Sequence, residues 1–193
     1  MAKKLILLAA ALAAVAVMAV PAAASASPVL TMPSGTPVGV GHVITGTGGS
    51  SEVTNGLKTE TSLGLLTCTN IMLQGTVTEN SGSHIHGSGA SGSSTGGCTL
   101  KGKSATVNEI NLISIDSTTL GSGTFEASYK AEVPGGVTCS FTNEGEPGTF
   151  TYTAGGSTLK LASTEVFSAA CGESFLSGEV KLETEDGTAV TAS

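Results

Sequence analysis

The chain has 193 residues, a formal net charge of −7 at pH 7, 12% charged residues, 4% aromatic residues and no Trp. Its positive charges are all Lys, so this acidic balance excludes the basic surface that nucleic-acid binding requires. Beyond residue 26 the chain lacks the periodic Ala/Glu/Lys/Leu-rich stretches of helical bundles and coiled coils, which excludes those classes too.

The first 26 residues have the pattern of a secretory signal peptide. Lys3 and Lys4 precede an apolar run over Leu5–Val20, Pro21 ends the run, and residues 24–26 (Ala-Ser-Ala) resemble a signal peptidase site. The run is shorter than the roughly 20 residues that span a bilayer. We therefore expect cleavage, a secreted mature protein, and no membrane association after cleavage.

Two segments of the first half are expected to be irregular. Residues 27–50 are rich in Pro, Gly and Thr and should form an extended N-terminal arm with a short strand near His42–Thr45. Residues 81–97 are rich in Gly and Ser, have little apolar content to bury, and are expected to form a flexible loop. The first strands of a single β domain over residues 51–193 are expected at 52–61, 63–69 and 71–78.

Alternation of apolar and polar residues dominates the second half. The clearest strand is Gly123–Val133, with Phe125 and Tyr129 on the inward face. The pattern changes phase near Glu109, which indicates a bulge or burial on both faces. Further strands are expected at 105–116, 137–142, 149–153, 159–161, 164–170 and 176–183. Short strands between Gly-rich turns predict an all-β fold, either an antiparallel β-sandwich (Ig-like or jelly-roll-like) or a partly closed barrel.

Four cysteines lie beyond the predicted leader, and in an exported chain an even number indicates disulfides. Three pairings are open. The spacing favours two local loops, Cys68–Cys98 and Cys139–Cys171, and each loop would stabilise the fold by about 3.5 kcal/mol. The alternative, a zinc site, lacks a C-x-x-C pair and a His at ligand spacing.

His84 and His86 are the weak candidates for metal ligands. Residues two apart on an extended segment face the same side, so both imidazoles could bind one ion, with His42 as a third ligand. We favour two solvated His side chains in a loop, and we expect no metal and no cofactor.

Several short motifs resemble a group of exported proteins abundant in soil actinobacteria. They are T-C-T-N-x-x-L-x-G-x-V at 67–77, G-C at 97–98, G-V-T-C-S-F at 136–141 and C-G-E-S-x-L-S-G-E-V-K-L-E-T at 171–184. The resemblance implies export, a β-patterned chain rich in Ser, Thr and Gly, and paired cysteines. It implies no activity and assigns no functional residues.

Catalytic motifs are missing from the sequence: it has no G-x-S-x-G elbow and no dinucleotide fingerprint. We therefore expect that the protein is not an enzyme. We expect a monomeric, non-catalytic β domain that either binds a cell-wall or extracellular polymer or serves as a structural component. The alternative is a small-molecule carrier, or a hydrolase with a site assembled from distant residues. A deep apolar pocket would favour this alternative, and a solid core would argue against it.

Overall fold

The computed structural model describes residues 27–49, 56–94 and 97–193; the predicted signal peptide lies outside them. Within these residues the chain forms fourteen β-strands and no helix, which confirms the all-β class. The same residues therefore contain no helix able to cross a membrane. The strands are β1 (Leu30–Thr31), β2 (Val43–Gly48), β3 (Lys58–Thr61), β4 (Gly64–Cys68), β5 (Ile71–Asn80), β6 (Ile85–Ser94), β7 (Cys98–Leu100), β8 (Lys103–Thr119), β9 (Ser122–Val133), β10 (Val137–Thr142), β11 (Gly148–Tyr152), β12 (Thr158–Ser168), β13 (Gly172–Thr184) and β14 (Thr191–Ala192).

Strand β9 shows why these segments are extended. Phe125, Tyr129 and Val133 are buried, whereas Lys130 and Glu132 are exposed on the opposite face. Successive side chains of a strand point to opposite faces, so this order buries apolar surface without burying a charge.

All pairings are antiparallel, and the main sheet closes on itself twice. In the first ring the hydrogen-bonded order is β2, β5, β6, β8, β9, β11, β12, β13 and back to β2. In the second ring it is β3, β4, β7, β8, β9, β10, β12, β13 and back to β3. The long strands β8, β9, β12 and β13 belong to both rings. Of the two architectures that the sequence left open, the pairing therefore favours the closed one.

Bulges allow the long strands to pass through both rings. Glu109 has a left-handed φ of 49°, and the β8–β9 register shifts between Asn108 and Asn111. The predicted irregularity near Glu109 is thus a bulge. A second shift between Leu161 and Thr164 joins the two separately predicted strands into β12. An extra residue bends a strand and increases its twist, and a sheet needs such bending in order to curve and close.

Two disulfides connect strands of the second ring and have the predicted pairing. Cys68–Cys98 joins the paired strands β4 and β7, and Cys139–Cys171 joins β10 to the turn between β12 and β13. All four side chains are buried. The disulfides are consistent with an extracellular protein.

The short β1–β14 pair covers one open end of the first ring, the end at which β5 finishes and the β11–β12 turn lies. Ala192 accepts a hydrogen bond from Gly155 and donates one to Gly156 in the β11–β12 turn. On the other side, the Asn80 amide at the end of β5 accepts from the Leu30 backbone and donates to the carbonyls of Leu30 and Val38. The pair therefore lies across the ring from β5 to β12.

The predicted N-terminal arm at 27–50 is corrected by the structure. It contains β1 and all of β2, and β2 lies inside the first ring between β5 and β13. The domain therefore does not begin at residue 51. Backbone hydrogen bonds to two neighbours hold β2 in place even though its sequence, V-I-T-G-T-G, contains few apolar side chains.

The predicted flexible loop at 81–97 is wrong over most of its length. Residues Ile85–Ser94 form β6, which pairs with β5 and with β8. The expectation rested on side-chain composition, but a strand in a closed sheet is held by backbone bonds that Gly and Ser also make. Residues 95–96 of that segment, and residues 52–55 of the first expected strand, lie outside the described part of the chain.

Candidate functional site

The interior of the closed sheet contains an apolar cavity of about 140 Å³. Its wall is formed by inward-facing side chains from both rings and from the β1–β14 pair. Representative wall residues are Leu30, Ile44, Leu66, Ile110, Leu176 and Val180, and all of them are buried.

The cavity follows from the composition of the wall. Eight strands enclose an interior that side chains can just fill, or that holds one small ligand. Here the chain has 4% aromatic residues and no Trp. Gly75 and Ala127 contribute little volume to the wall. Aliphatic and small residues at these positions leave space at the centre.

Two pairs of hydroxyl groups belong to wall residues. Thr59 of β3 and Tyr129 of β9 share a hydrogen bond of 2.7 Å between Oγ1 and OH. Ser117 of β8 and Tyr152 of β11 lie 3.3 Å apart through Oγ and OH. The Thr59–Tyr129 pair lies in the second ring, and the Ser117–Tyr152 pair lies in the first ring. Polar groups are therefore present at two levels of an otherwise apolar wall.

Tyr129 remains protonated at physiological pH. Burial raises the pKa of its phenol far above the ordinary value of about 10, and the hydrogen bond with Thr59 lowers it by a smaller amount. The ring of Phe141 stacks against Tyr129 with centroids 4.9 Å apart, which holds the phenol in position. The group therefore presents a neutral O–H.

The β5–β6 ladder is interrupted beside the cavity wall. The register shifts between Leu73 and Thr76, and Gly89 on β6 has a left-handed φ of 69°. Gln74 belongs to the wall and is also exposed. We call this irregularity of the ladder the β5–β6 break.

The candidate metal ligands lie close to this break but do not form a metal centre. His84 Nδ1 lies 2.8 Å from Glu79 Oε2, and its Nε2 lies 2.6 Å from Asp116 Oδ2. His86 Nδ1 lies 2.6 Å from the hydroxyl of Thr78. Both ring nitrogens of His84 thus face carboxylates on opposite sides.

The rings of His84 and His86 have centroids 5.9 Å apart. Among the described residues no group of three or more His, Cys, Asp or Glu side chains is placed to hold a metal ion, so His42 does not complete a site with them. The arrangement instead links the end of β5, the start of β6 and β8 through charge-assisted hydrogen bonds.

Sequence reasoning placed Tyr129 on an inward face but missed its partner. Thr59 lies 70 residues away in the chain, and the two residues come together only because the second ring closes. Glu79 was also missed, although it lies only five residues from His84. Asp116 was missed for the same reason as Thr59, since it is 32 residues from His84. No local spacing signals either contact.

Comparison of the chain with known protein families, with curated proteins and with solved structures finds no match.

Proposed function

We propose that this protein is an exported, non-catalytic binding protein that carries one small apolar molecule inside its closed sheet. The observation that carries the proposal is the cavity of about 140 Å³ in the interior. It favours the carrier alternative of the sequence analysis over a purely structural role, because a solid core would leave no room for a ligand.

The size of the cavity sets the size of the ligand. An apolar cavity of about 150 Å³ engineered in another protein stays dry and binds benzene. A ligand with a single six-membered ring is therefore the class that fits. Transfer of such a ring from water into the cavity contributes about 25 cal/mol of favourable binding free energy for each Å² of apolar surface buried.

The chemistry of the wall supports binding rather than catalysis. The described wall residues present hydroxyls, amides and one imidazole, that of His86, but no carboxylate and no ammonium group. General acid–base or nucleophilic catalysis requires paired reactive groups within hydrogen-bond reach of each other. A neutral apolar wall instead suits retention of an unmodified molecule.

Export is supported by the leader pattern at 1–26 and by the two disulfides, which form and persist in oxidising compartments. The resemblance to exported actinobacterial proteins supports the same location. A secreted carrier of this kind would bind its ligand outside the cell as a monomer.

Titration of the mature protein with benzene, followed by calorimetry and by thermal unfolding, tests the proposal. We expect saturable one-site binding and a melting temperature that rises with ligand concentration, because ligand binds only the folded state. Ala127→Leu adds bulk to the wall and should weaken binding at least about tenfold, which corresponds to roughly 1.4 kcal/mol.

The matched control is Ala162→Leu, the same change at an exposed position of β12. It should bind benzene as the unmodified protein does. Leu161→Phe, at another wall position, serves as a second filling variant if Ala127→Leu does not fold. Absence of saturable binding, or equal affinity in the filled variants and the control, would refute the carrier function.

A further inference from the structure

The hydroxyl pair of Thr59 and Tyr129 has one hydrogen more than its hydrogen bond uses. Each hydroxyl supplies one donor hydrogen, and only one of the two is engaged in the contact of 2.7 Å between them. Both residues are buried, at 3% and 7% exposure. Among the described residues neither hydroxyl has another hydrogen-bond partner. One O–H group in the wall is therefore unused.

The second pair does not share this property. The Ser117 hydroxyl donates to the carbonyl of Ser122 at 2.7 Å, so towards Tyr152 it serves as the acceptor. The phenol of Tyr152 then donates to Ser117, and both hydrogens are engaged. The unused donor is thus at one level of the cavity, in the second ring.

From this difference we infer that the ligand of the proposed carrier is a small neutral molecule with a hydrogen-bond acceptor, such as a cyclic ketone, whose oxygen binds the Thr59–Tyr129 pair. The inference rests on the proposed function and specifies its ligand class. An O–H buried without a partner carries a free-energy penalty, which an acceptor on the ligand removes.

Charged acceptors are excluded by the same wall. A carboxylate would lose its hydration, and the described wall residues include no Lys to compensate its charge. An alcohol would also satisfy the donor, and it could donate its own hydrogen to a hydroxyl oxygen of the pair, so the acceptor atom is what defines the ligand class. A carbonyl oxygen, which only accepts, leaves no unsatisfied group.

Two ligands of nearly the same shape separate this hydrogen bond from the hydrophobic contribution. Cyclohexanone carries a carbonyl oxygen, and methylenecyclohexane has a CH₂ group in its place. The measured quantity is the ratio of their dissociation constants in the mature protein and in each variant, determined by calorimetric titration. The different cost of removing each ligand from water is common to all variants and cancels in the comparison.

The double variant Thr59→Val/Tyr129→Phe removes both hydroxyls and keeps the shapes of the side chains. We expect the affinity for the ketone, relative to the alkene, to fall about tenfold, as loss of one buried hydrogen bond predicts. Thr151→Val is the control, because it removes a hydroxyl at an exposed position of β11 outside the wall; here the ratio should stay within a factor of about two.

Binding of the alkene shows in the same experiment that each variant is folded. If both ligands bind the unmodified protein and the ratio is the same in the double variant, the acceptor inference is wrong and the carrier function stands. An equal loss in Thr151→Val would also overturn the inference. If neither ligand binds the unmodified protein, the carrier function itself fails.

Discussion

His84 is held between two carboxylates, Glu79 on β5 and Asp116 on β8. The hydrogen bond to Asp116 raises the pKa of His84 above its ordinary value; partial burial opposes this effect, while the charge of Asp116 and the contact with Glu79 add to it. The protonated ring donates from both nitrogens, so the three side chains connect β5, β6 and β8 only when His84 is charged.

The pH dependence of stability tests this connection. Because the folded pKa lies above the unfolded value of about 6.5, the contribution is fully present below about pH 6.5 and is lost as pH rises through the folded pKa. We expect the difference in unfolding free energy between the protein and its His84→Gln variant to shrink over that interval, as measured by urea titration.

The control for this prediction is Ser163→Ala, since Ser163 is exposed and its side chain does not ionise. Its difference from the unmodified protein should not change with pH. A difference between the protein and His84→Gln that stays constant from pH 5 to pH 9 would contradict the assignment.

At the scale of elements, β6 is the strand that the sequence pattern did not predict. Its glycines allow close approach of neighbouring backbones: a Cβ on Gly92 would overlap the carbonyl oxygen of Met72 and lie 2.8 Å from Leu73 Cδ2 on β5. Gly92, one of the small residues that made the segment resemble a loop, is thus required for the place of β6 beside β5.

Gly92→Ala should therefore destabilise the protein by about 1–3 kcal/mol, the usual range for insertion of an atom into packed structure. The measurement is urea unfolding followed by circular dichroism. Ser91→Ala, on an exposed neighbour in the same strand, should change stability by no more than about 0.5 kcal/mol. If the two variants are equally stable, β6 is not packed against β5 as described.

At the scale of the whole molecule, the two rings depend on contacts between distant parts of the chain. β2 pairs with β13, and Val43 and Thr184 at their ends are separated by most of the folded sequence. The entropy cost of such closures is reduced when the unfolded chain is already constrained. The disulfides supply that constraint within two loops of the second ring.

Removal of either disulfide should lower the unfolding free energy by about 3.5 kcal/mol, because the sequence separations of 30 and 32 residues give nearly equal loop entropies. We expect Cys68→Ala/Cys98→Ala and Cys139→Ala/Cys171→Ala to show similar losses in guanidinium unfolding. A loss confined to one pair would show that strain or residual structure, not loop entropy, sets the contribution.

The sequence by itself determined the strand pattern of the second half of the chain and favoured the covalent links that the structure has. Alternation identified the buried face of β9 through Phe125 and Tyr129, and cysteine spacing favoured the pairing that the structure has. Both signals are local or depend on simple loop lengths, so they can be derived from residue order. Export remains a prediction of the leader at 1–26.

Only the tertiary structure decided the closure, the cavity and the polar contacts within it. Backbone pairing of β6 depends on its neighbours β5 and β8 rather than on its own side chains. The contact of Thr59 with Tyr129 exists because the second ring brings β3 and β9 to facing positions. The cavity is the difference between the volume that eight strands enclose and the volume of all their inward side chains, and no single segment of the sequence contains that quantity.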